Sequence, residues 1–428
     1  MNILYLAHRI PYPPDKGDKL RSYRELEHLA RRHRVWCACF VDDPSDERHV
    51  KPLSALCHDV AAVRLSRTWA KLRGLTGLLS GRTITEAFYA HPRMHATLSR
   101  WSSTVAYDAV VAFSSSMAPY ALEVRAMRRI LDLCDLDSQK WLDFATASRG
   151  PARWLYATEG TRLKTAERNY IRAFDATLLI THAEAEPLSD VEKRGRLHIV
   201  GNGVSLPELD DHPSGDRVST KPEERTDAPV VGFVGVMDYR PNVEAVCWFV
   251  SNCWARIRRA FPTASFRIVG RSPSRRVRKL SRIPGVEVVG RVDDALTEVM
   301  GFDVSVAPMR TARGLQNKVL EAMAAARPVV LTTLAAEGID ARNGHEFLIT
   351  DGSKTFADRV VRLLSDPTER GRIGRNARRF VPVIHCWEEH MSRFELIVAG
   401  AIVRSARREE VRPEAKPIPT EELVDLPA

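Results

Sequence analysis

The stretch GLQNKVLEAMAAARPVV, residues 314–330, sets Asn317, Lys318 and Glu321 in the first turns of an expected helix. A helix start carries unpaired N–H groups and the positive end of the dipole, which together make an anion site. Lys318 adds a full positive charge there, suited to a diphosphate. Glu321, one turn further, can accept two hydrogen bonds from a vicinal diol such as a ribose. Gly314 lets the preceding loop bring backbone close to a ligand, with Leu315 and Gln316 completing the approach. A solvated Lys–Glu pair on an exposed helix face fits this segment equally well. The strand VSVAP lies just upstream, so the loop falls at a strand's carboxyl end, where open α/β sheets bind ligands. Arg310 and Arg313 line that loop, and charge developing on a departing diphosphate would be met there. Taken singly, either arginine reads as well as a solvated surface residue.

Other candidates lie at similar strand ends. Gly235 closes VVGFVG where a bulky side chain would meet donor phosphates, and Gly290, Arg291 and Val292 form a turn after VEVVG. Between the first strand and the first helix, HRIPYPPDKGDKLRS sets Lys16, Gly17 and Arg21 in a charged loop that reads as solvated or, as a family resemblance implies, faces a diphosphate and acceptor. Asp135 and Asp137 form a DxD after an apolar strand; Asp137 caps the next helix or, as a family resemblance implies, faces acceptor hydroxyls, and both readings stay open.

These residues need parallel sheets to hold them. Nearly continuous Val/Ile/Leu runs alternate with helix-length segments: NILYLA, RVWCACFV, DVAAVRL, DAVVAFS, RILDLCDL, DATLLIT and LHIVGNG, then PVVGFVGV, SFRIVG, VEVVG, VSVAP, PVVLTT and FLIT. The expected organisation is a Rossmann-like domain over 1–205, a linker over 206–228, and a second Rossmann-like domain over 229–383. A terminal helix over 384–402 crosses back to the first domain, and the charged, Pro-containing tail 403–428 reads as disordered.

The chain of 428 residues has ordinary globular composition, 44% hydrophobic and 28% charged, with material for two cores. A formal charge of +10 implies an anionic partner without choosing among nucleic acid, membrane and phosphorylated small molecules. Seven scattered cysteines with no CxxC argue for a reducing cytoplasm and against a disulfide framework or zinc site. No run approaches the roughly 18 apolar residues of a spanning helix. SRTWAKLRGLTGLLSGRT, residues 66–83, suits either an anionic membrane surface or a core-facing helix. Neither domain's first strand–helix turn contains GxGxxG, against a Rossmann dehydrogenase.

The strand, loop and GLQNKVLEAMAAARPVV together resemble the donor signature of glycosyltransferase family 4. More narrowly, the chain resembles the sugar transferases of exopolysaccharide and exosortase (PEP-CTERM) systems. VVGFVGVMDYRPNVEAVCWF, VEVVGRVDDALTEVMGFDVSVAPMR, IVGNGV and HCWEEHMSRFE carry the likeness from residue 1 to about 398. The resemblance implies the α/β GT-B fold: two Rossmann-like parallel-sheet domains facing a central cleft. It implies a retaining, metal-independent hexosyl transfer without cofactor, from a nucleotide diphosphate sugar to a saccharide or lipid-linked saccharide. It also implies a cytoplasmic protein with possible peripheral contact at the inner face of the membrane, and no nucleic-acid partner. Glu321 takes the place of the ribose-binding second glutamate. Arg313 stands where the family has its sugar-contacting first glutamate, and Gln316 replaces a loop glycine. Pro241 stands at the usual basic position, with Arg240 beside it as substitute. Lys318, Arg240 and Arg313 are thereby expected around the diphosphate, and Gly290, Arg291 and Val292 around the base. The departure at Arg313 keeps two alternatives in view, a catalytically silent partner that binds nucleotide sugar or a polysaccharide complex, and a sugar-nucleotide epimerase.

Overall fold

Thirteen apolar runs become thirteen strands in two wholly parallel sheets. The computed structural model describes residues 1–14, 17–188, 195–207, 228–312 and 314–401. In the first sheet, β1 (Asn2–Ala7), β2 (Arg34–Val41), β3 (Asp59–Arg64), β4 (Tyr107–Phe113), β5 (Ala126–Cys134), β6 (Ala176–Leu179) and β7 (Leu197–Ile199) lie in the order β3-β2-β1-β4-β5-β6-β7. In the second, β8 (Val230–Val234), β9 (Ser265–Val269), β10 (Val286–Gly290), β11 (Val304–Ala307), β12 (Val329–Leu331) and β13 (Leu348–Ile349) follow the order β10-β9-β8-β11-β12-β13. Central strands such as β1, with Ile3, Leu4, Tyr5, Leu6 and Ala7 all buried, are covered on both faces, which explains their unbroken hydrophobicity.

Each sheet reverses its winding once, between β1 and β4 and between β8 and β11. Such switch points open crevices beyond the carboxyl ends of the strands. The expected run RILDLCDL ends as a strand at Cys134, which has φ 61° and still pairs with Leu179; the register with β6 shifts between Asp132 and Cys134. Ser114, just past β4, has φ 80°. Two strained non-glycine residues thus stand at the carboxyl edge of the first sheet, where strain is characteristic of working sites.

The helix Trp387–Val398 buries Met391, Phe394, Ile397 and Val398 in the same core as Ile3 and Tyr5 of β1. Its Glu395 reaches His28 at 2.7 Å, His33 at 3.1 Å and Arg32 at 3.0 Å. The chain therefore ends its described course on the first sheet's domain. Of the expected linker, only Leu206, Pro207 and Ala228 fall within the described residues; the expected tail lies outside them.

Candidate functional site

The helix Asn317–Ala324 follows β11 and buries Val319, Leu320, Ala322, Met323 and Ala324, which leaves its polar face toward the cleft. Lys318 Nζ donates to Asn242 Oδ1 at 2.8 Å and to Gln316 Oε1 at 3.4 Å, and stands 5.1 Å from the centre of the Phe233 ring. All of these partners are neutral. Burial pulls the Lys318 pKa down to about 8, with Glu321 opposing the shift. Burial likewise pushes Glu321 up to about 7, with Lys318 opposing. Among the described residues the Glu321 carboxylate has no hydrogen-bond partner. A cation held only by neutral groups and a carboxylate without a hydrogen-bond partner, one helical turn apart, form a site built for something else to complete.

Asn242 was not foreseen from the sequence, yet it sets the position of the lysine. Its amide also donates to Val236 O at 3.0 Å, which fixes its orientation. Gly235 is a glycine for a local reason: a Cβ there would come within 2.7 Å of Asn242 Nδ2. Gly235→Ala is therefore expected to displace Asn242 at a cost on the order of 1–3 kcal/mol. Thermal denaturation would register that loss, and Lys318 would lose its anchor.

The loop before the helix touches the first domain. Gly314 has φ 61°, and its N–H donates to Glu184 Oε1 at 3.2 Å; the other Glu184 oxygen accepts from Leu136 N at 3.1 Å. One buried carboxylate thus ties the carboxyl edge of the first sheet to the loop after β11. A Cβ on Gly314 would stand 3.3 Å from Asp135 Oδ2. Asn317 accepts from Asn202 at 3.3 Å, and a Cβ on Gly17 would meet Asn317 Nδ2 at 3.4 Å. Gly17, Gly314, Gln316, Asn317, Lys318 and Glu321 are brought together as expected in the cleft. Leu315 is not: its side chain is 9% exposed and belongs to the second core.

Arg21 corrects the sequence reading most clearly. It is 1% exposed, and its guanidinium binds Asp132 at 2.7 and 2.8 Å, Val200 O at 2.8 Å and Asn202 Oδ1 at 3.1 Å. Glu25 lies 3.0 Å away. Burial opposes ionisation of Asp132, but the Arg21 charge together with hydrogen bonds from Glu25, Arg21 and the Cys134 N–H holds the carboxylate below its usual range. Arg21 is a beam inside the first domain, committed to Asp132, Val200 O and Asn202 rather than to a phosphate.

Arg240 and Arg310 each have partners other than Lys318. Arg240 pairs with Glu244 at 2.7 Å and lies over the Phe144 ring of the first domain at 5.7 Å. Arg310 lies over Trp248 at 5.3 Å and donates to Asp351 O at 3.4 Å. Arg313 and Lys16 lie outside the described residues. Arg291 is exposed, and with Pro13, Asp42, Asp46 and Arg271 it lines a cavity of about 280 Å³ between the domains. Gly290 has φ 83°, with Val292 half-buried two residues on, so the tight turn expected after β10 is present.

Across the cleft, Asp137 accepts from Ser115 at 3.2 Å and shares the Lys140 ammonium with Asp135, at 3.2 and 2.6 Å. Leu136, not Asp137, occupies the cap of the helix Asp137–Thr146. Burial would lower the Lys140 pKa, but Asp135 and then Asp137 raise it well above its ordinary value. Neither Lys140 nor Glu184 was singled out from the sequence; the Glu184 partners Leu136 and Gly314 are 48 and 130 residues away.

Comparison with known proteins agrees with this architecture. Residues 228–366, spanning the helix Asn317–Ala324, match the family described as Glycosyl transferases group 1. No curated protein matches. Sucrose-phosphate synthase from Thermosynechococcus elongatus superposes with a TM-score of 0.66 at 18% identity, covering 93% of this chain and 98% of its own. Anabaena HepE, in complex with UDP and glucose, gives 0.65 at 14%, covering 93% and 99%. Staphylococcus aureus TarM, a mutant in complex with fondaparinux, alpha-GlcNAc-glycerol and UDP, gives 0.63 at 10%, covering 93% and 99%. The fold is GT-B.

Proposed function

We propose that this protein is a retaining glycosyltransferase that moves a sugar from a nucleoside diphosphate sugar to a saccharide acceptor. The observation that carries the reading is the pairing of Lys318, held by neutral groups, with the partnerless Glu321 carboxylate at a helix start beyond β11. The diphosphate lies at Lys318 and the free N–H groups; the ribose diol lies at Glu321. The family match over residues 228–366 supports the same assignment. UDP-sugars are the first donors to try, because HepE and TarM, which share the fold, are known in complex with UDP.

In the transfer, the bond between the anomeric carbon and the phosphate oxygen breaks, and its electron pair leaves with the diphosphate. Lys318 and the helix dipole stabilise that charge. The acceptor hydroxyl bonds to the anomeric carbon on the face the diphosphate leaves, and its proton passes to the departing phosphate oxygen. No side chain acts as a base, no metal is required, and no cofactor is needed beyond the co-substrate. Asp137 and Lys140 lie on the first-domain side, toward the acceptor. The setting we propose is exopolysaccharide or other cell-surface glycan synthesis at the cytoplasmic face, with a lipid-linked acceptor, as in the sugar transferases its sequence resembles.

The pH dependence follows from the two shifts. Glu321 must be ionised to accept from a ribose, so kcat/KM rises as pH passes about 7. Lys318 must be protonated, so kcat/KM falls above about 8. The expected profile is a narrow bell whose limbs belong to the coupled pair in the free enzyme. A flat profile from pH 6 to 9 would remove both residues from the site.

The engagement of Arg240 and Arg310 elsewhere favours one competing reading, a partner protein that binds nucleotide sugar without transferring it. Incubation with a panel of radiolabelled nucleotide sugars and membrane extract separates the two. The enzyme delivers label to a saccharide; the silent partner binds a donor and delivers none.

A further inference from the structure

The helix Arg67–Leu79 is packed with its small residues inward and its large ones outward. It buries Ala70, Gly74 and Gly77, while Trp69 is 67% exposed, Leu72 49%, Leu75 55% and Leu79 91%. The glycines are needed for this arrangement: a Cβ on Gly74 would come 3.0 Å from Ile84, and one on Gly77 2.7 Å from Ala87. The helix therefore lies flat on the segment Ile84–Tyr89. Arg162 holds its far end by donating to Leu78 O at 3.1 Å and Arg82 O at 3.0 Å. The exposed side chains recur every three or four residues and form one ridge. A core-facing helix would show the opposite distribution, and a contiguous exposed apolar ridge marks a docking surface.

Charge identifies the occupant. Residues 64–85 contain Arg64, Arg67, Lys71, Arg73 and Arg82 and no Asp or Glu. Glu47 answers Arg64 and Asp42 answers Arg67, whereas Lys71 and Arg82 stand exposed beside the ridge. A second copy on this face would bring the same basic rims together. An anionic bilayer complements both features, burying the ridge among acyl chains while basic groups reach the headgroups. Among the described residues no helix is long and apolar enough to cross a membrane, so the contact is peripheral. We propose that Arg67–Leu79 is the surface by which this protein rests on an anionic lipid leaflet. The inference stands on this surface and is independent of the transferase reading.

Co-sedimentation of the full chain with phosphatidylcholine vesicles, with and without phosphatidylglycerol, tests it. Binding is expected to phosphatidylglycerol-containing vesicles and to weaken with salt. The variant Trp69→Ser, Leu72→Gln, Leu75→Gln, Leu79→Gln is expected to partition at least roughly tenfold more weakly. Its melting temperature and its thermal shift with UDP should match the unmodified protein, because the substituted side chains face solvent. The proposal is overturned if the unmodified protein binds neither vesicle, or if the variant binds as well. It is overturned too if gel filtration finds a dimer that the variant splits, which would make a second copy the occupant. Failure here with the UDP shift retained would leave the donor site untouched.

Discussion

Lys318→Ala is expected to lower kcat/KM about 10²–10³-fold, the usual loss when one preorganised charge facing a developing anion is removed. The fold should survive. The ammonium is held by Asn242 Oδ1 and by weak contacts to Gln316 and Phe233, and burial already works against its charge. Removing it relieves that burial cost while leaving one amide oxygen short of a donor, so the two effects on stability oppose each other. The predicted signature is lost transfer with a melting temperature near that of the unmodified protein. Lys318→Arg is not a rescue, since the larger guanidinium does not fit between Asn242 and Phe233 with the same geometry. A variant that transfers sugar at the normal rate would detach this lysine from the reaction.

Arg21→Met should destabilise the protein by about 3–5 kcal/mol, because removing one partner leaves buried charge uncompensated. Asp132, Glu25 and the carbonyl of Val200 all face that guanidinium, and none has access to water. Asn202 would be released as well, and with it the contact to Asn317 in the second domain. Denaturant unfolding measures the change. A loss of activity at undiminished stability would instead return Arg21 to the role its charge and loop position suggest from sequence.

The contrast between these two residues shows what the sequence displays. All thirteen strands were visible as apolar runs, because parallel strands covered on both faces leave no alternation to misread. Lys318 and Glu321 were visible because a helix start beyond a strand is a local pattern. Arg21 sits in an equally suggestive local pattern, yet its partner Asp132 is 111 residues away and settles its role. Glu184 was invisible for the same reason: its partners Leu136 and Gly314 come from different domains. The stretch 66–83 left two readings open, and only the burial of Gly74 and Gly77 shows that the leucines face outward. Arg240 was grouped with Lys318 through the family resemblance and Arg310 through its place in the loop before the helix, whereas their side chains are held by Glu244, Phe144 and Trp248.

The most direct test of the central claim is calorimetric titration of UDP, GDP and ADP, each beside its monophosphate, into the unmodified protein and Lys318→Ala. At least one diphosphate should bind, its monophosphate markedly less well, and the difference should vanish in the variant. If no diphosphate binds, or if Lys318→Ala binds it with unchanged affinity, the helix start beyond β11 is not the donor site and the account fails.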